Sequence, residues 1–196
     1  MPSEFLPLTS VARVFAGVPT KRYDRKSGEP PVRVLSVRAL NGRKIEPSEL
    51  IRVLPLSRDR GKYTVAPGDI IIPARSTSFT AAIVPDELDG IAINATLIGI
   101  KCGERLLPEL LVAYLRHPAG LAAIEERSQS GTLQMNITVR ALEDLPVPVP
   151  PIEHQKRIAD MLESADAAHE AAIQAAARRR RLAGEVAYQE MTRATA

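Results

Sequence analysis

Residues 146–162 read PVPVPPIEHQKRIADML, a run in which proline alternates with valine and then passes without a break into charged, helix-compatible sequence. Proline fixes φ and removes a backbone donor, so Pro146, Pro148, Pro150 and Pro151 cannot lie inside a helix. Pro151 can occupy a first helical turn, where its missing N–H would be unpaired in any case, and Glu153 there suits the positive end of the helix dipole. The run reads as a stiff joint between a globular body and a long helical arm.

Beyond the joint, residues 152–191 contain no proline and one glycine, Gly184. As helix they would extend about 60 Å at 1.5 Å per residue. Residues 165–177 are dominated by alanine, the strongest helix former. Such a helix buries little apolar surface alone and needs a partner, and its small side chains let two backbones approach closely. Setting each residue i opposite 344 − i, centred on Ala172, places Ile158 against Val186, Leu162 against Leu182 and Ala168 against Ala176. It also sets Glu163 against Arg181 and Asp166 against Arg178. Apolar meets apolar and acid meets base, as two antiparallel arms related by a two-fold axis require. Chance complementarity is the rival, because alanine matches alanine in many registers.

Upstream, Val32 to Val37 alternates as a half-buried strand does, and Asn41-Gly42 suits a tight hairpin turn. Tyr63 to Val65, the Pro67-Gly68-Asp69 turn with Ile70 to Ile72, then Ile83-Val84 and Ile91 to Ile100 predict further short strands. Helices are expected from Pro108, with Leu110, Leu111, Tyr114 and Leu115 on one face, and from Pro118. A polar loop over residues 128–136 leads into Ile137 to Val149, which reads as extended. The fold class is α+β: a β-rich body with short helices, residues 1–150, then one long C-terminal α-helix, a coiled-coil-like arm, residues 151–196.

Composition bounds the function. The net charge is +3, but residues 1–60 hold 12 Lys/Arg against 6 Asp/Glu, an excess that suits a surface meeting polyanions. A basic but merely solvated face fits the same numbers. No apolar run is long enough to span a bilayer, and MPSEFLPLTS has no basic region followed by an apolar one, so no secretory signal or membrane partner is expected. The single cysteine, Cys102, excludes an internal disulfide and fits a reducing cytoplasm.

Catalytic motifs are missing. There is no glycine-rich phosphate loop, and no Asn/Asp-Pro-Pro-aromatic tetrapeptide of an amino-methyltransferase. Pro85-Asp86 could open a nuclease motif, but Gly99 stands where the carboxylate before Lys101 is needed. His117, His154 and His169 are scattered, so no metal site and no catalytic residue is expected.

LEDLPVPV followed by PPIEHQKRIADML resembles the join between target recognition domain and conserved helix in specificity (S) subunits of Type I restriction-modification systems. Leu142, Leu145, Val147, Val149, Pro150, Pro151, Ile152, Gln155, Arg157 and Ile158 stand in matching places, with His154 where the family usually has Glu. Gly17-Val18-Pro19-Thr20, Pro67-Gly68-Asp69-Ile70 and Ser130-Gly131-Thr132 resemble weaker family features. Typical members carry two recognition domains and two conserved helices; here there is one of each, and the usual aromatic-rich segment after the first turn is missing. The resemblance thus implies a half-subunit, with residues 1–150 as the target recognition domain and 151–196 as the conserved helix for spacing, dimerisation and methyltransferase docking.

The resemblance also implies a non-catalytic DNA reader in phage defence that recognises one half of a gapped site per chain. The implied partners are double-stranded DNA, a DNA adenine methyltransferase subunit that would carry S-adenosylmethionine, a second copy or another S subunit, and a restriction subunit. Phosphate contacts are expected from Lys21, Arg22, Arg25, Lys26, Arg43 and Lys44. Base reading is expected from Arg75, Ser76, Thr77, Ser78, Gln134 and Asn136. The pairing helix would use Ile158, Leu162, Glu163, Asp166, Ala172, Arg178, Arg181, Leu182 and Val186. Each basic residue could equally be a solvated charge, Ser76 to Ser78 an ordinary loop, and Asn136 a pin for its own turn. Two other functions fit the same chain: a dimeric protein-interaction adaptor, and a truncated S subunit that no longer reads DNA.

Overall fold

The computed structural model describes residues 4–19, 32–53, 60–128 and 135–193. Lys21, Arg22, Arg25, Lys26 and Gln134 lie outside the described residues, as does the Ser130-Gly131-Thr132 loop. The chain divides into two units, Met1–Gln155 and Lys156–Ala196.

In the first unit, β1 (Glu4–Pro7) and β2 (Ala12–Ala16) are followed by β3 (Val32–Leu35), β4 (Leu40–Asn41), β5 (Lys44–Ile45) and β6 (Ile51–Val53). Next come β7 (Ile70–Pro73), β8 (Arg75–Ser76), β9 (Ala82–Ile83), β10 (Ala92–Ile93) and β11 (Leu97–Cys102). Helices α1 (Pro108–Arg116) and α2 (Pro118–Arg127) precede β12 (Met135–Asn136), α3 (Val139–Glu143) and β13 (Pro146–Val149). The last element, α4 (Ile152–Arg193), has 42 residues, about 63 Å of helix. This is the α+β class that the sequence predicts. No described helix is long and apolar enough to cross a membrane.

An antiparallel sheet in the order β2-β11-β7-β9 forms the centre of the first unit. Ile70, Ile71 and Ile72 of β7 are fully buried, which is why that strand reads as a continuous apolar run rather than an alternation. A smaller sheet, β10-β3-β6, pairs β10 parallel to β3. Phe15, Leu35, Ile71, Ile93 and Leu97 from the two sheets share one core cluster. The Pro67-Gly68-Asp69 turn is locked by its carboxylate. Asp69 accepts from the Ala66 N–H at 2.8 Å and pairs with Lys101 of β11 at 2.9 Å, so the turn before β7 is tied to the adjacent strand.

The proline run is a strand. β13 pairs antiparallel with β1, Val147 opposite Leu6 and Val149 opposite Glu4. Proline cannot donate to a ladder and survives only on a free edge; in this alternation the valines keep the donors, and Val147 and Val149 are buried. One expectation is corrected upstream of it. Residues 139–143, read as extended, form α3, because Thr138 caps the turn by accepting from the Ala141 N–H at 3.1 Å.

Gln155 fastens the first turn of α4 within the same unit. Only 1% exposed, it donates through Nε2 to the Arg105 and Pro150 carbonyls at 2.8 Å each, and its Oε1 accepts from the Leu107 N–H at 2.9 Å. Leu107 immediately precedes α1, so one carboxamide joins the entry of α1, the end of the proline run and the start of α4. All three of the polar bonds made by this buried amide are satisfied, as burial demands.

Candidate nucleic-acid interface

Arg75 and Asn136, chosen from sequence as base readers, are 61 positions apart in the chain and directly opposed across the β8–β12 ladder. The contact is built from four segments that meet at Ala74 and Thr96. Ala74 N–H donates to the Thr96 carbonyl at 2.9 Å, and the Ala74 carbonyl accepts from Ile137 N–H at 2.9 Å. The Val37 N–H donates to Thr96 Oγ1 at 2.9 Å. Asn94 holds this corner: its Oδ1 accepts from the Thr96 N–H at 3.1 Å and from Thr96 Oγ1 at 2.5 Å, the side-chain-to-backbone turn that Asn favours.

Between these segments lies a cleft of about 620 Å³, lined by Val37, Ala74, Arg75, Ala95, Thr96 and Asn136, with Ile137 and Thr138. Among the described residues, neither the Arg75 guanidinium nor the Asn136 carboxamide has a hydrogen-bond partner. Asn136 therefore does not pin its own turn within that set. Ser76 is different: its hydroxyl donates to the Ser78 carbonyl and accepts from the Ser78 N–H at 3.1 Å. Ser76 is thus a loop brace, and the exposed Thr77 and Ser78 ride on the loop it holds.

Sequence reading missed Val37, Asn94 and Thr96. The signal available was Asn94-Ala-Thr96 after an apolar pair, a pattern for an Asx turn. Gly17 belongs to the same corner. A Cβ there would stand 2.0 Å from the Asn94 carbonyl oxygen, so only glycine lets the chain pass, and the Val18 N–H then donates to Ile93 at 2.8 Å. The segment leading to the basic run from Lys21 is in this way laid against the turn carrying Thr96.

The second basic site lies on the β4–β5 hairpin. Asn41 pairs with Lys44, leaving Gly42 and Arg43 as the two-residue loop, and Gly42 takes φ 58°. The turn pair is thus one residue later than Asn41-Gly42, which puts Arg43 at the tip and Lys44 in the strand beside it; both are exposed.

Elsewhere, Lys101 and Cys102 line a second cleft of about 600 Å³ with Arg13 and Arg105. Burial first, then the Asp69 and Glu109 carboxylates, push the Cys102 thiol up to about 12, so it is not a nucleophile near neutral pH. Among the described residues no group of three or more His, Cys, Asp or Glu is placed to hold a metal ion.

In the second unit, α4 carries an apolar stripe. At 100° per residue, Ala165, Ala172, Ala176 and Val186 fall within about 80° of Ile158, and Leu182 is displaced by about 120°. The slow drift along the stripe is that of a 3.5-residue repeat on a 3.6-residue helix. Leu182 is 50% and Val186 58% exposed, while Ile158 and Leu162 are half-buried. The expected charge pairs lie elsewhere on the helix. Glu163 and Arg181 each lie about 140° round from Ile158, away from the stripe, and Arg181 already meets Glu185 of its own helix at 3.7 Å. Asp166 and Arg178 fall about 80° and 160° from Ile158, Asp166 on the side opposite to that toward which the stripe drifts. Equal height along two arms does not make these side chains face one another.

The sequence pattern of the family described as Type I restriction modification DNA specificity domain matches residues 25–179. No curated protein matches the sequence. The fold is similar to a chain from the structural work on complex assembly and conformational transition of the type I R-M system, at TM-score 0.59 and 19% identity, over 84% of this chain and 38% of that one. It is also similar to the HsdS subunit from Thermoanaerobacter tengcongensis, at TM-score 0.55 and 20% identity, over 83% of this chain and 37% of that one. The likeness to both is one of fold, and the chain spans less than two fifths of the length of either.

Proposed function

The chain belongs to the Type I restriction modification DNA specificity domain family, and on that premise we propose that it is the non-catalytic, sequence-reading subunit of a Type I-like restriction-modification or methyltransferase complex. Each chain reads one half-site of duplex DNA. Two chains pair through antiparallel α4 stripes, and the resulting two-fold symmetry is mirrored in a gapped, symmetric DNA site. Residues 1–150 act as the recognition domain and residues 151–196 as the spacing and docking helix. Methyl transfer belongs to a partner adenine methyltransferase that binds S-adenosylmethionine, and cleavage to a restriction subunit where one joins.

One observation carries this reading: Arg75 and Asn136 stand opposite each other at an open cleft. Arginine spans guanine O6 and N7 with two donors, and asparagine pairs with adenine N6 and N7. Opposed residues on neighbouring strands are about 5 Å apart, against about 3.4 Å between stacked bases along a DNA strand, so the two side chains can reach adjacent base pairs. Arg43 and Lys44 at the hairpin, with the basic run from Lys21, would supply sequence-independent phosphate contacts.

The test is selection from a random-sequence duplex pool by the full chain co-purified with an adenine methyltransferase subunit of a Type I system. A split palindromic motif is expected, and modified bases mapped in genomic DNA should fall inside it. Arg75→Ala or Asn136→Ala should relax one base position by about tenfold. Arg43→Ala should instead weaken all sequences evenly and lower the salt slope by about one. Recovery of no motif, with weak and salt-insensitive binding, would favour a protein adaptor.

A further inference from the structure

The cleft between β8 and β12 has an apolar side that the two polar readers leave unused. Val37 is 36% exposed, one of three large apolar side chains in the described part of the first unit, with Phe5 and Ile152, to reach solvent so far. Thr96 is exposed beside it, but its hydroxyl is already bonded within the chain, donating to Asn94 Oδ1 and accepting from the Val37 N–H. With its donor spent, Thr96 offers a ligand its methyl group and one remaining lone pair. Ala95, also exposed, adds a second methyl to the same wall.

We propose that Val37, Ala95 and the Thr96 methyl read the C5-methyl of a thymine in the major groove, next to the base pairs met by Arg75 and Asn136. The inference rests on the DNA-reading function above and adds a third base type to it. Among unmodified bases thymine carries the one methyl group on a major-groove edge, and alanine and the threonine methyl are among the side chains that meet it. All three wall residues are short, so a base edge can come up to them without the wall filling the groove. The Asn94 turn acts as the positioning element. By holding the Thr96 hydroxyl, it fixes which face of the side chain the DNA meets.

Uridine separates this contact from all others, because it removes the methyl and keeps every hydrogen-bonding group. The full chain with its methylating partner first selects a motif from thymine-containing random duplexes. That motif is then synthesised with deoxyuridine at each thymine in turn. One position per half-site is expected to lose about fivefold in affinity. Thr96→Ser keeps the hydroxyl bonds to Asn94 and Val37 and deletes only the methyl, so it should reduce the uridine penalty to less than about twofold; Val37→Ala should shift it in the same direction. Uridine tolerated at every position, a selected motif without thymine, or a penalty unchanged in both variants would overturn the thymine contact and leave DNA reading intact. Failure to select any motif would instead remove the function on which the contact depends.

Discussion

The two units of this chain solve opposite folding problems. In Met1–Gln155, short strands from distant parts of the sequence bury Ile70, Ile71 and Ile72 completely, and a residue such as Gln155 makes bonds to partners 48 and 50 positions away. In Lys156–Ala196, the helix closes its bonds four residues apart and leaves Leu182 and Val186 at least half exposed. The first unit covers most of its own apolar surface. The second is a local structure whose apolar stripe still needs a covering surface. A covered first unit and an uncovered second are what the proposed pairing of two copies would require.

The contrast can be broken hardest at the arm. In the proposed pair, Leu182→Asp would put a charge on both stripes at once, and losing about 2 kcal/mol of burial at each of two symmetric positions predicts roughly a thousandfold weaker association. Analytical ultracentrifugation would measure it, with the thermal midpoint of the first unit unchanged. A lone molecule in the parent chain at high concentration would remove the paired-arm reading altogether.

In the head, the sensitivity should be reversed. Ile71→Ala in the fully buried β7 is expected to cost about 3 kcal/mol of stability in denaturant titration, with no change in association of the folded chain. Gln155→Ala comes next. It leaves the Leu107 N–H and the Arg105 and Pro150 carbonyls without their partner, at a cost of about 2 kcal/mol. A neutral result there would mean that the start of α4 is not held by this amide. Smallest of all is the charge exchange of Glu163→Arg with Arg181→Glu. Both side chains point away from the stripe, so single and double variants should alter association by less than about threefold; strong rescue in the double variant would show that the arms meet on another face.

Legibility in the sequence followed the range of the forces. The β4–β5 hairpin, the Pro67-Gly68-Asp69 turn, the proline starts of α1 and α2, and α4 itself could all be read because each is decided within a few residues. The strand order β2-β11-β7-β9 could not, since it depends on pairings between segments up to about ninety positions apart. The short helix α3 was hidden for another reason: five residues between two extended segments carry too little periodicity to register, and the Thr138 cap was its one local sign. For the cleft, residue type identified Arg75 and Asn136, but it also suggested Ser76, whose hydroxyl is turned onto its own loop.

By itself, then, the amino-acid sequence determined the long helix, the proline joint, the basic bias of the first sixty residues and the absence of recognisable catalytic motifs, because propensity, fixed φ and charge are properties of local sequence. Only the tertiary structure decided that the proline run is a strand on β1, that Gln155 is buried in a knot of three bonds, and that Val37, Arg75, Thr96 and Asn136 share one cleft. Those facts depend on which distant segments exclude water together, and apolar burial carries no label in the sequence for its partner.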